Sequence, residues 1–269
     1  MSTSVRTTST AASGIRALVI GMGGLGCPAA LALARSGIGT LGLVDPDTVD
    51  VSNLPRQLLY DAHDVGRAKV EVAAERLRGV CPGIRVVTTQ ARFTAGDAAW
   101  LRDFDIVLDG TDSIAAKFDV SDAAVAAGVP LVHAGAVDFR AQLLTIVPRA
   151  TACYRCVFEQ PPPPDDVPSC QEAGVLGPVV ALAGSLQAAD ALRVATGRRP
   201  LFADRLLSID LRAGTWRSIP VARSAHCAAC GSPDPQSGSK TPTGRAGGLV
   251  RAPDAHRRPA ATRPAARGR

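Results

Sequence analysis

Residues 16–35 read RALVIGMGGLGCPAALALAR, and their reading decides the fold. Arg16–Ile20 is a short apolar run with the length of a buried strand. Gly21–Gly26 satisfies GxGxxG. Cys27–Arg35 is rich in Ala and Leu and reads as a helix. A strand, a glycine turn and a helix in this order let backbone approach a phosphate closely at a helix N-terminus, where unpaired N–H groups and the positive dipole end favour anions. The same stretch, taken from Ile15 to Ala34, imitates a secretory signal, being apolar and ending in Ala-Leu-Ala. Its four glycines and proline, and the strands that follow in register, favour the turn.

Working outward, strands are expected at Thr40–Val44, Ile84–Thr88, Asp105–Leu108 and Pro130–His133. Helices are expected over Gly66–Arg78 and Ile114–Ala127. Strands alternating with helices at this spacing imply right-handed crossovers and a mostly parallel sheet with helices on both faces, a Rossmann-like α/β fold. Ala141–Val147, Leu206–Leu211 and Thr215–Ile219 read as later strands forming an antiparallel extension. Pro178–Thr196 is a long helix, closed by Gly197. The prolines in Gln160–Ser169 exclude a helix or a ladder there.

The chain has 269 residues, with 46% apolar and 20% charged, the composition of an ordinary globular protein. The pI of 9.2 raises nucleic acid as a partner. The excess of +6 lies wholly in residues 231–269, which hold eight basic and two acidic residues. Residues 1–230 carry 22 charges of each sign. The organisation expected is a disordered N-terminus at 1–14, one catalytic domain at 15–230 and a disordered basic tail at 231–269, with neither nucleic acid nor membrane as partner. Residues 178–196 come nearest to a membrane span, but Gln187, Asp190 and Arg193 interrupt them.

The glycine turn alone fits ATP as well as a nicotinamide or flavin dinucleotide. Asp45 closes the second strand, where an acidic group can hold ribose hydroxyls. Residues 45–57 read DPDTVDVSNLPRQ, and Arg67-Ala68-Lys69 follows. A dehydrogenase does not need this basic pair. Arg56 can fork onto phosphate oxygens and Lys69 can act as a point charge, which suits a triphosphate. Asp112 lies in the turn after the fourth strand, where a carboxylate can hold Mg²⁺ or simply cap a helix. The nucleotide set is therefore Gly21, Gly23, Gly24, Gly26, Asp45, Asp47, Asn53, Arg56, Gln57, Lys69 and Asp112.

Seven cysteines are too few for a disulfide scaffold. Cys153-x-x-Cys156 and Cys227-x-x-Cys230 have the spacing of four thiolates on one structural Zn²⁺, and point to a reducing, cytoplasmic compartment. Cys27 and Cys81 read as core thiols. The four histidines suggest no constellation.

In order, GMGGLGCP, VDPDTVDVSNLPRQ, DVGRAK, LDGTDS, CYRC, SCQEAGVLGP and CAAC resemble the HesA/MoeB/ThiF family over roughly residues 16–230. Members are ubiquitin-activating-like adenylyltransferases. The resemblance implies ATP on the glycine turn around Gly24, ribose on Asp45, phosphates on Asn53, Arg56 and Lys69, and Mg²⁺ at Asp112. It implies adenylation of the C-terminal Gly-Gly carboxylate of a ubiquitin-like sulfur carrier, with thiamine, molybdopterin or a related pathway downstream. Arg56, Lys69, Asp112 and Cys170 are its catalytic candidates, Cys170 as an acceptor of the activated carrier. A homodimer and a separate sulfur donor, rhodanese or cysteine desulfurase, are expected with it. Other readings are adenylation of a ribosomal peptide, a nucleotide-binding partner protein without activity, and an NAD or FAD oxidoreductase. The sequence departs from the family in three places. Ser113 stands where Asn is usual and Lys117 where Arg is common. Arg6 is the one basic residue ahead of the first strand, where members carry an arginine that reaches a neighbouring subunit.

Overall fold

The computed structural model describes residues 12–162 and 174–231. The expectations for residues 1–11, for the basic tail after 231 and for Cys170 lie outside the described residues. Eight strands form one sheet: β1 (Arg16–Ile20), β2 (Thr40–Val44), β3 (Arg85–Thr89), β4 (Ile106–Asp109), β5 (Leu131–Val137), β6 (Arg140–Ile146), β7 (Arg205–Asp210) and β8 (Thr215–Pro220). Their order is β3-β2-β1-β4-β5-β6-β7-β8. The first five in that order run parallel and the last three pair antiparallel. Strand order reverses between β1 and β4. In such open sheets that switch point leaves a crevice beyond the carboxyl ends of the strands.

The helices are α1 (Gly26–Arg35), α2 (Lys69–Val80), α3 (Ala98–Leu101), α4 (Ile114–Ala127), α5 (Tyr154–Phe158) and α6 (Gly177–Ala195). They cover both faces of the sheet. One core joins β1, β2 and β4 to α1, α2 and α6 through residues such as Val19, Leu33, Leu41, Leu77 and Ala188. The other face buries Leu18, Leu101, Val107, Phe118 and Leu144 under α3, α4 and the cysteine-bearing segments. The parallel strands read as continuous apolar runs because both faces are covered: the last four residues of β1 and β2, and all four of β4, are buried.

Two boundaries moved for local reasons. The helix expected from Gly66 begins at Lys69, because Gly66 has φ +87° and Ala68 is extended. The strand expected to end at His133 runs on to Val137. There Asp138, in the left-handed region at φ 54°, turns the chain back into β6. Ala12 is already buried in the core, so packing starts within the stretch expected to be disordered. Cys27 is fully buried, whereas Cys81 is only half-buried beside the core.

Candidate active site

The glycine turn requires glycine at two positions for different reasons. Gly21 has φ +91°, and a Cβ there would lie 2.6 Å from the Gly110 carbonyl. At Gly26 a Cβ would lie 1.9 Å from the Gly21 carbonyl oxygen, so the first turn of α1 closes directly onto the end of β1. The turn is then fixed through Met22. Its N–H donates to Asp45 Oδ2 at 2.6 Å, and its carbonyl accepts from the Tyr60 hydroxyl at 2.8 Å. α1 has no side-chain N-cap; within its first turn the Cys27 N–H donates to the Gly23 carbonyl at 3.0 Å and Pro28 carries no N–H, so any backbone donors for a ligand come from the turn ahead of Cys27.

That space is a cavity lined by the ends of β1, β2, β4 and β5, the loops after β2 and β3, and the start of α6. It brings together Gly21, Gly23, Gly24, Asp45, Asp47, Arg56, Gln57, Lys69 and Asp112. Three expected residues stand apart. Gly26 is buried behind the turn. Asn53 does not line the cavity: its side chain turns to the Ser52 hydroxyl at 3.4 Å, while its carbonyl accepts from the N–H groups of Arg56 and Gln57 at 3.1 Å. Cys170 lies outside the described residues.

Asp45 is buried, and burial pushes its carboxyl up from the ordinary value against the opposing pull of Lys69. Its Oδ1 accepts from the Asp47 N–H at 2.8 Å. Lys69 is buried at the start of α2, with Nζ 2.9 Å from Asp47 Oδ2 and 4.0 Å from Asp45 Oδ1. Arg56 donates to the Ser52 carbonyl at 2.9 Å, and no ion pair engages it among the described residues. Gln57 is buried against the turn, and its Oε1 finds no hydrogen-bond partner. Sequence reasoning missed Arg92, Phe93 and Lys117 in the lining. Phe93 and Arg92 sit in an irregular loop after β3. Lys117 is one helical turn beyond Ser113, which caps α4 by accepting from the Ala116 N–H at 3.1 Å.

The cysteine pairs meet. Cys153 and Cys156 flank the start of α5, and Cys227 and Cys230 lie in the turn that ends the described chain. All four sulfurs lie within 4.8 Å of one another, with Cys153–Cys156 at 3.8 Å and Cys153–Cys227 and Cys156–Cys230 at 3.5 Å. A tetrahedral site with Zn–S bonds of about 2.3 Å has S···S edges of about 3.8 Å, so these residues fit one zinc ion. Burial opposes ionisation of Cys227, but the N–H groups of Cys230 and Ala229 draw its thiol down to about 7.

A crevice at the switch point, with a glycine turn, cations and carboxylates around it, defines a nucleotide-binding α/β protein. The ThiF family profile matches residues 8–230, and the chain belongs to that family. It is 42% identical over 220 residues to the sulfur carrier protein adenylyltransferase of Thermus thermophilus, covering 80% of this chain and 81% of that protein. It is 45% identical to the adenylyltransferase and sulfurtransferase uba4 of Aspergillus fumigatus and to the corresponding MOCS3 of Bos taurus. In both cases 80% of this chain matches, but only 46% and 48% of the relative. The chain thus spans about half the length of these curated relatives. Among solved structures, Escherichia coli MccB with ATP matches with TM-score 0.70 and 26% identity, over 82% of this chain and 68% of that one. MccB with MccA-N7isoASN matches with TM-score 0.72 over the same shares.

Proposed function

We propose that the chain is an ATP-dependent adenylyltransferase that activates the C-terminal Gly-Gly carboxylate of a ubiquitin-like sulfur carrier. The observation that carries this reading is the cavity itself. Two cations and a carboxylate from three separate segments, Arg56, Lys69 and Asp112, converge on a glycine turn at the switch point. The relative named for sulfur-carrier adenylylation, matched over 81% of its length, supports the same substrate class.

The chemistry asks for alignment and charge neutralisation rather than proton transfer. A carrier carboxylate oxygen bonds to the α-phosphorus of ATP, the bond from that phosphorus to the bridging oxygen breaks, and pyrophosphate leaves. No proton moves, and among the described residues no histidine lines the cavity. The turn N–H groups ahead of Cys27 receive phosphate oxygens. Arg56 offers a fork to them, and Lys69, clamped by Asp47, offers a fixed point charge. Asp112 is the hard oxygen ligand suited to Mg²⁺, which supplies neutralisation of the phosphates when bound. Zinc on Cys153, Cys156, Cys227 and Cys230 would tie the end of the described chain to α5. The acting unit is a homodimer, and sulfur comes from a separate donor.

The test is pyrophosphate exchange into ATP with a purified ubiquitin-fold carrier ending in Gly-Gly, beside the same carrier lacking those two residues. Exchange with the intact carrier only is the expected result. Tight ATP binding without exchange for any such carrier would instead favour a nucleotide-binding partner protein. Adenylation of another peptide's C-terminus is the second reading, favoured by the likeness to MccB solved with N-formylated MccA.

A further inference from the structure

Three buried titratable side chains meet at the cavity floor: Asp109 and His133 behind it, and Lys117, which also lines it. Asp109 ends β4, and His133 is its register partner on β5. His133 Nδ1 lies 2.7 Å from Asp109 Oδ2, and Lys117 Nζ lies 3.5 Å from the same oxygen. Burial alone would push the Asp109 carboxyl up, but Lys117 and His133 together bring it well below the usual carboxylate range. Burial holds His133 below its ordinary value, and hence neutral. An ionised carboxylate only accepts, so the imidazole proton is on Nδ1.

What this cluster grips is the turn that carries Asp112. Asp109 Oδ1 accepts from the Thr111 N–H at 2.9 Å and from its hydroxyl at 2.6 Å. Lys117 Nζ donates to the Thr111 carbonyl at 2.7 Å and to the Ala134 carbonyl at 2.7 Å. Every polar atom of Thr111 is thereby tied to Asp109 or Lys117. Behind them, Gln187 of α6 donates to the carbonyls of Asp109 at 2.8 Å and Val132 at 2.9 Å. His133 adds a donor to this assembly without adding a charge, and its other side rests on the Tyr154 ring, 4.6 Å between centroids. Without it, Oδ2 keeps only the longer Lys117 contact. A buried carboxylate missing a partner rotates or shifts to find one, and the Thr111 contacts move with it.

We propose that His133 is a positioning residue for Asp112: its hydrogen bond fixes the Asp109 carboxylate, and through Thr111 sets the Gly110–Asp112 turn for a magnesium-bound nucleotide. The proposal rests on the reading of Asp112 given above.

The experiment measures affinity for a fluorescent ATP analogue with and without Mg²⁺, on full-length chains with matched zinc content. His133→Phe keeps a ring against Tyr154 and deletes the donor. His133→Asn restores a donor near the Nδ1 position. Thr111→Val removes one contact of the same assembly at the cavity edge, where misfolding is less of a hazard. Removing an outer partner of a metal ligand typically costs about tenfold or more, so Mg²⁺ should tighten binding about tenfold less in His133→Phe than in the wild type. Affinity without Mg²⁺ should stay level, His133→Asn should recover most of the response, and Thr111→Val should lose part of it. An undiminished Mg²⁺ response in either His133→Phe or Thr111→Val overturns the proposal. So does an equal loss with and without Mg²⁺, which is the mark of general loosening, or a wild-type affinity indifferent to Mg²⁺. Failure of carrier-dependent exchange in a wild type that binds Mg-nucleotide would sink the proposed function while leaving this effect legible.

Discussion

Gly26 and Gly23 lie in one turn, yet alanine at each should fail in a different way. At Gly26 the added Cβ would sit 1.9 Å from the Gly21 carbonyl oxygen and 2.9 Å from its carbon. Both are backbone atoms, so no side chain can swing aside. The start of α1 must retreat by more than 1 Å, against the Gly21–Val44 and Cys27–Gly23 hydrogen bonds of 2.7 and 3.0 Å. Overpacking of this kind costs about 3 kcal/mol, and the helix propensity gained from Gly to Ala returns at most about 1 kcal/mol. A net loss of roughly 2–3 kcal/mol lowers the melting temperature of a domain this size by about 5–10 °C. At Gly23 the nearest atom to the new Cβ is Gln57 Nε2, a side-chain atom at 3.7 Å, an ordinary contact. Gly23→Ala should melt within about 2 °C of wild type, since a substitution without clash or lost partner stays within about 0.5 kcal/mol. Its methyl group nevertheless enters the cavity where phosphate would approach the backbone, so ATP affinity should fall at least about tenfold. Thermal melts and nucleotide titrations on the two variants separate the effects. A Gly26→Ala chain as stable as wild type would refute the packing argument, and a Gly23→Ala chain with wild-type ATP affinity would refute the phosphate cradle.

Two further outcomes can be checked. The cysteine cluster should carry one zinc per chain by elemental analysis, and Cys153→Ser should abolish it. Metal present about 1,000-fold above its Kd contributes about 4 kcal/mol, so the loss should cost roughly 8–16 °C of melting temperature; unchanged melting with the zinc gone would contradict it. Acid should also destabilise the wild type through His133, which faces Asp109, Lys117 and Tyr154. Its folded pKa is lowered, so below about pH 6.5 the unfolded chain binds the extra proton and stability falls as pH drops. Urea melts of His133→Asn from pH 7.5 to 5 should show a flatter slope; the same slope as wild type would refute this.

The glycine turn, the parallel strands and the two Cys-x-x-Cys pairs were legible because each rests on local residues, whereas the strand order was not read from the sequence. GxGxxG leaves few backbone alternatives, and Cys-x-x-Cys places two sulfurs on one ligand by itself. The later strands were legible too, as short runs of strand-forming residues. The Asp109–His133–Lys117 cluster was not, because no local pattern links residues 109 and 133. They meet only through the parallel register of β4 and β5. A lone histidine in an apolar strand gives no signal of the carboxylate beside it. Asn53, expected among the phosphate ligands, stands outside the cavity lining for a local reason. It lies in a polar run that otherwise supplies the cavity, but the short helical turn Val51–Asn53 directs its amide toward Ser52 and only its backbone toward Arg56 and Gln57. The single-turn α3 escaped notice because four residues are too few to show a helical period.

Charge explains why a cation belongs in this site. The overall surplus of +6 resides in residues 231–269 and says nothing about the cavity. In the cavity wall, the four cations Arg56, Lys69, Arg92 and Lys117 face the three carboxylates Asp45, Asp47 and Asp112, an excess of one positive charge. Lys69 is already matched by Asp47, and Lys117 by Asp109 behind the floor. Arg56 donates to a backbone carbonyl, and among the described residues no ion pair engages either Arg56 or Arg92. A nucleoside triphosphate brings about four negative charges, which the two guanidiniums of Arg56 and Arg92 and the N–H groups of the turn cannot balance in a partly desolvated cleft. The carboxylates Asp45 and Asp112 would make matters worse if they met the phosphates directly. With a divalent cation between Asp112 and the phosphates, and with Asp45 turned to neutral hydroxyls, the same wall becomes attractive. On the proposed reading of Asp112, the arrangement would favour the magnesium complex over the bare nucleotide. That is why Asp112, and the buried residues that aim it, should govern the response to Mg²⁺ more than affinity in its absence.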